Sequence, residues 1–121
     1  MKKILIADDS PTFLTLERTF LRDFAAEVLT AKDGIEALRL ARTQHPDLIL
    51  LDVEMPGMGG LEVLRVLHAD GAFAATPIVM ISSLTGAERA AEAKAMGAAE
   101  YLTKPISRPL LRATIARLLG A

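Results

Sequence analysis

Three apolar runs without alternation, Ile4-Leu5-Ile6-Ala7, Leu48-Ile49-Leu50-Leu51 and Ile78-Val79-Met80-Ile81, restrict the possible folds more than any other feature of this chain. A strand with one wet face alternates apolar and polar residues. An unbroken run implies cover on both faces, the usual state of a central parallel strand. Each run ends on polar residues: Asp8-Asp9, Asp52 and Ser82.

The intervening segments carry helical signals. Ser10-Pro11 reads as an N-cap with proline in the first turn, followed by Phe13, Leu16, Phe20 and Phe24 as a core-facing stripe. Asp33-Gly34-Ile35-Glu36 opens a second helix running to about Gln44, which His45-Pro46 stops. Met55 to Gly60 forms a loop leading into a helix with Leu61, Leu64 and Leu67 or His68 on one side. Gly71 is expected just beyond that helix. Thr85-Gly86-Ala87-Glu88 is a capping-box candidate for an alanine-rich helix that Gly97 ends. Ser107 to Leu119 completes the chain as an amphipathic helix, with Leu111, Ile115, Leu118 and Leu119 for packing.

Two further strands, Ala26 to Ala31 and one around Glu100-Tyr101-Leu102, are short and mixed, as edge strands are. Five strands alternating with five helices, joined by right-handed crossovers, predict an α/β three-layer sandwich. The flavodoxin-like (βα)5 order 2-1-3-4-5 puts the weak strands at the edges. One domain over residues 1–121 is expected, since no linker, repeat or low-complexity segment interrupts the pattern.

Composition removes several function classes. With 14 basic against 15 acidic residues and no basic stripe, direct nucleic-acid binding is not expected. Without Cys, disulfides and thiolate metal sites are excluded, which fits a cytoplasmic setting. No apolar run reaches the length of a membrane span, and because Met1-Lys2-Lys3-Ile4 reads directly into a strand, neither a signal peptide nor an anchor is expected.

In the predicted strand order the topological switch point lies between the first and third strands, where Asp8-Asp9 and Asp52 end their runs. Ser82 and Lys104 close the fourth and fifth strands. Three carboxylates, a hydroxyl and an ammonium gathered on one edge are costly unless a cation and a phosphoryl group belong there.

The pair Asp8-Asp9, Asp52-x-x-Met55-Pro56-Gly57 with Gly60-Leu61-Glu62, Ser82 and Lys104-Pro105 together resemble the receiver domains of response regulators in two-component signalling. The resemblance covers nearly the whole chain. It implies Asp52 as the phosphate acceptor and Lys104 as the charge against the phosphoryl oxygens. Mg²⁺ would be held by Asp9, Asp52 and the backbone carbonyl of Glu54, with Asp8 acting through water. Ser82 and Tyr101 would be the switch residues, and a cis bond would precede Pro105. The implied partners are a histidine kinase or phosphotransfer protein and an unidentified downstream protein, met by the last three elements around Tyr101. Self-phosphorylation and self-dephosphorylation are expected, without turnover of an outside substrate.

The Glu54 side chain lies beside the expected pocket, where it would hinder or position the water that hydrolyses an acyl phosphate. Leu84, two residues after Ser82, lies on the same path. Met55 and Met58 are equally suited to exposure or to plugging the core. His45 and His68 have no metal or catalytic partner in sequence.

Other readings fit less well. A phosphorylation-independent interaction module need not retain all five groups. A flavodoxin would not place two acids where a phosphate binds. A haloacid-dehalogenase-type phosphohydrolase would find its second acid at Glu54, but not the Met55-Pro56-Gly57 loop.

Overall fold

The buried runs form the centre of one parallel sheet. The computed structural model describes residues 1–84 and 86–120. Its strands are β1 (Lys2–Ala7), β2 (Ala26–Ala31), β3 (Leu48–Asp52), β4 (Ile78–Ser82) and β5 (Glu100–Thr103). They pair in the order β2-β1-β3-β4-β5, all parallel, so the two mixed strands are the edges. This is the flavodoxin-like (βα)5 arrangement expected from the apolar runs.

Helices α1 (Pro11–Phe20), α2 (Gly34–Gln44), α3 (Gly60–His68), α4 (Ala87–Ala95) and α5 (Arg108–Leu119) connect or follow the strands, with one 3₁₀ turn at Gly71–Phe73. Alternate residues of each central strand face opposite layers. Leu5, Ala7, Ile49, Leu51, Ile78 and Met80 pack on Ala37, Leu38 and Ala41 of α2 and on Val63, Leu64 and Leu67 of α3. Ile4, Ile6, Leu48, Leu50, Val79 and Ile81 pack on Leu21 after α1 and on Leu111 and Ile115 of α5. At roughly 1.5–3 kcal/mol per fully buried aliphatic side chain, these two cores supply the main driving force for the fold.

The local signals act largely as read. Ser10 caps α1 by accepting from Phe13 N at 3.4 Å, and Asp33 caps α2 by accepting from Glu36 N at 2.8 Å. Glu36 reaches back to Lys32 N at 2.8 Å. His45 ends α2 in the left-handed conformation at φ 47°. The Thr85 part of the capping signal lies outside the described residues, and Gly86 at φ 126° precedes α4. Leu67, rather than the exposed His68, completes the buried side of α3. Met55 is buried in the core.

The α1 stripe requires correction. Its fully buried positions are Glu17 and, just after the helix, Leu21, flanked by Leu14, Phe20 and Phe24. Phe13 lies instead under the Lys104 ammonium, whose nitrogen is 4.1 Å from the ring centroid. Phe20 and Phe24 pack against this core as the spacing implies, whereas Phe13 and Leu16 stay half-buried outside it and Glu17 takes the buried position between the two pairs.

Candidate functional site

The register of the sheet brings the strand ends level. Ala7 pairs with Leu51 and Asp52 with Ile81, so Asp8 and Asp52 emerge side by side. Ser82 pairs with Thr103, and Lys104 N donates to Ser82 O at 2.8 Å, which sets the lysine opposite the acids. The Lys104-Pro105 peptide is cis, as expected.

Asp8, Asp9 and Asp52 each offer a carboxylate oxygen, and these oxygens lie within 4.8 Å of one another. Asp8 and Asp52 are buried, whereas Asp9 is exposed. The Lys104 ammonium sits 2.9 Å from Asp8 Oδ2 and 3.3 Å from Asp52 Oδ2. Asp8 Oδ1 accepts from Ser10 N at 2.9 Å, and Asp52 Oδ1 from Glu54 N at 3.3 Å. The two buried carboxylates are thus oriented by backbone and cation together.

One ammonium does not balance this cluster. Burial and the Asp8 charge push the Asp52 carboxyl up to about 7, against the opposing pull of Lys104. Burial pulls the Lys104 ammonium down, but Asp8 and Asp52 more than offset this, and its pKa lies above the ordinary lysine value. The donor set is oxygen only, compact and short of positive charge, which suits a hard divalent cation such as Mg²⁺.

Glu17 is the residue that sequence reading missed. It is 1% exposed, projects from α1 toward the cluster, and leaves Oε2 without a hydrogen-bond partner. Burial and the Asp8 charge push its carboxyl up to about 8. The available signal was an acid among the apolar residues on the inward face of an amphipathic helix.

The remaining expected residues lie beside the carboxylates rather than among them. Ser82 is fully buried at the end of β4, and its hydroxyl donates to Glu54 Oε2 at 2.8 Å. Ser82 Oγ also accepts from Leu84 N at 2.9 Å. Tyr101 OH donates to Leu84 O at 2.8 Å. The Glu54 carboxylate is therefore engaged by the end of β4 and, through Ser83, by the loop that follows.

Comparison with known proteins agrees with this geometry. Residues 4–116 match the response regulator receiver domain family. The chain belongs to that family. Protein PilH of Pseudomonas aeruginosa is similar, at 35% identity over 120 residues, covering 99% of both chains. The chemotaxis protein CheY4 of Vibrio cholerae superimposes with a TM-score of 0.90 at 37% identity, covering 98% of both chains. The receiver domain of a sensor histidine kinase from Pseudomonas aeruginosa PAO1, with a magnesium ion coordinated in its active-site cleft, gives 0.89 at 28% identity over 99% of this chain and 98% of its own. Among the described residues, no helix is long and apolar enough to cross a membrane.

Proposed function

We propose that residues 1–121 form a single phospho-accepting receiver that takes a phosphoryl group from a histidine kinase or phosphotransfer protein onto Asp52. The modification would change the α4-β5-α5 surface that a downstream protein reads. The observation that carries this reading is Asp52 beside Asp8, with the Lys104 ammonium within 3.3 Å of both carboxylates.

Asp8, Asp9, Asp52 and the backbone carbonyl of Glu54 would hold Mg²⁺. When bound, the cation neutralises charge on the phosphoryl oxygens. An Asp52 carboxylate oxygen attacks phosphorus in line, forming an acyl phosphate as the bond to the donor breaks. The bonding pair leaves with the donor, which takes a proton if it is an imidazole. Asp52 attacks as the carboxylate, so a counter-charge that lowers its raised pKa also supplies the nucleophile. Lys104 faces the oxygen side of the new group as a point charge. Ser82 supplies a hydroxyl proton, and Tyr101 carries the change to the edge strand. The proposed setting is the cytoplasm.

The test is incubation with Mg²⁺ and acetyl phosphate, followed by intact mass measurement. Wild type should gain one phosphoryl group, and Asp52→Asn none. Equal gain by both proteins refutes Asp52 as the acceptor, while no gain by folded wild type leaves the phosphorylation-independent module as the reading.

A further inference from the structure

Glu54 stands two residues beyond Asp52 on the exposed side of the loop, yet both of its carboxylate oxygens are engaged. Oε2 accepts from Ser82 Oγ at 2.8 Å. Oε1 accepts from Ser83 N at 3.2 Å and from Ser83 Oγ at 2.9 Å. The three donors lie at the end of β4 and in the loop that follows it, and among the described residues no cation forms a salt bridge with Glu54.

The same bonds continue outward. Ser82 Oγ accepts from Leu84 N at 2.9 Å, and Leu84 O accepts from Tyr101 OH at 2.8 Å. An unbroken path therefore joins the loop after Asp52 to the single tyrosine on the edge strand. Hydrogen bonds to a charged acceptor are shorter and roughly twice as strong as neutral ones. A serine hydroxyl has one proton, so Ser82 cannot donate to Glu54 and to a phosphoryl oxygen on Asp52 together.

We infer that the Glu54 carboxylate is a built-in anionic stand-in for the phosphoryl group, holding Ser82, Ser83 and, through Leu84, Tyr101 before any phosphoryl group is present. Phosphorylation then exchanges one anionic acceptor for another at Ser82, rather than ordering a free loop. Only this exchange rests on Asp52 as the acceptor. The hold exerted by Glu54 in the unmodified protein does not.

The chain has one tyrosine and no tryptophan, so its intrinsic emission reports Tyr101 alone. Acrylamide quenching of that emission is measured in unmodified wild type, Glu54→Ala and Ser82→Ala, with circular dichroism to verify folding. Both variants should raise the quenching constant about twofold, and the double variant should add little, because all three cut one path. With Mg²⁺ and acetyl phosphate, Glu54→Ala should return toward the value of wild type treated in the same way.

Equal quenching of unmodified wild type and Glu54→Ala overturns the inference. Should Glu54→Ala fail to fold, equal quenching of wild type and Ser82→Ala overturns it instead. Mass read on the same samples separates the two readings: a missing phosphoryl gain refutes the Asp52 assignment, whereas the unmodified arm alone decides the role of Glu54.

Discussion

The Lys104 ammonium stands 2.9 Å from the buried Asp8 carboxylate and is its only salt-bridge partner among the described residues. The same ammonium lies 3.3 Å from Asp52, and its charge also acts on Glu17. One cation therefore stabilises three buried acids.

Lys104→Met should consequently be costly for stability as well as for signalling. Removing one member of a buried charge pair typically costs about 3–5 kcal/mol, because the partner stays buried without compensation. With partial proton uptake by the neighbouring acids, we expect a loss of about 3 kcal/mol at pH 7.5 in urea unfolding without divalent cations. At pH 5 the loss should be smaller. Asp52 and Glu17, with folded pKa values of about 7 and 8, are then largely neutral and need less positive charge. An equal loss at both pH values contradicts this account.

Glu17 provides a second prediction with a defined sign. Its folded pKa of about 8 exceeds the ordinary 4.5, so the folded state retains a proton that the unfolded chain releases. Its contribution is fully present below pH 4.5 and is lost as pH rises through 8. Glu17→Leu removes that decline and fills the space with an apolar side chain. Denaturant unfolding should show the variant more stable than wild type by about 2 kcal/mol at pH 8, with a flatter profile between pH 5 and 8. A variant less stable at pH 8 would show that Glu17 makes a compensating interaction.

Much of this was legible in the chain because the relevant physics is local. Unbroken runs such as Leu48 to Leu51 announce burial on both faces, and Ser10 and Asp33 mark helix starts by chemistry that acts within three residues. Asp8, Asp52 and Lys104 could be placed together because parallel strands bring their carboxyl ends to one edge. Glu17 could not be, since helical periodicity favours apolar inward positions and its burial depends on neighbours far away in sequence. Nor could the contacts of Glu54: its spacing from Asp52 gave proximity to the site, but its bonds to Ser82 and Ser83 required the β3 and β4 loops in three dimensions.

The cation deficit gives a third prediction. Asp52, at about 7 against the ordinary 3.8, contributes stability that is fully present below pH 3.8 and is lost as pH rises through 7. A divalent cation held by its carboxylate favours the charged form and opposes that loss. Addition of millimolar Mg²⁺ should therefore raise the melting temperature at pH 7.5 by several degrees and at pH 4.5 by very little. Asp52→Asn should reduce the Mg²⁺-dependent rise, while Glu17→Leu should retain it. A rise of the same size at both pH values would place the cation away from Asp52.

The final prediction concerns the backbone that fixes Asp52. Gly60 opens α3 against the strand end, where an added Cβ would lie 2.2 Å from the Asp52 carbonyl oxygen and 2.9 Å from its carbonyl carbon. Those atoms belong to the sheet and have little freedom to yield, so Gly60→Ala must displace either the helix start or the end of β3. Overpacking of this kind typically costs about 1–3 kcal/mol, and we expect a value near the upper end together with slower phosphoryl gain at Asp52. Two other glycines separate the causes. Gly57 has open space but φ 70°, so Gly57→Ala should cost about 1 kcal/mol through backbone strain alone. Gly71 has open space and no left-handed φ, so Gly71→Ala should be neutral or stabilising by up to about 1 kcal/mol. Urea unfolding of the three variants should rank them in that order, and a Gly60→Ala no worse than Gly57→Ala would mean that the contact with Asp52 relaxes without cost.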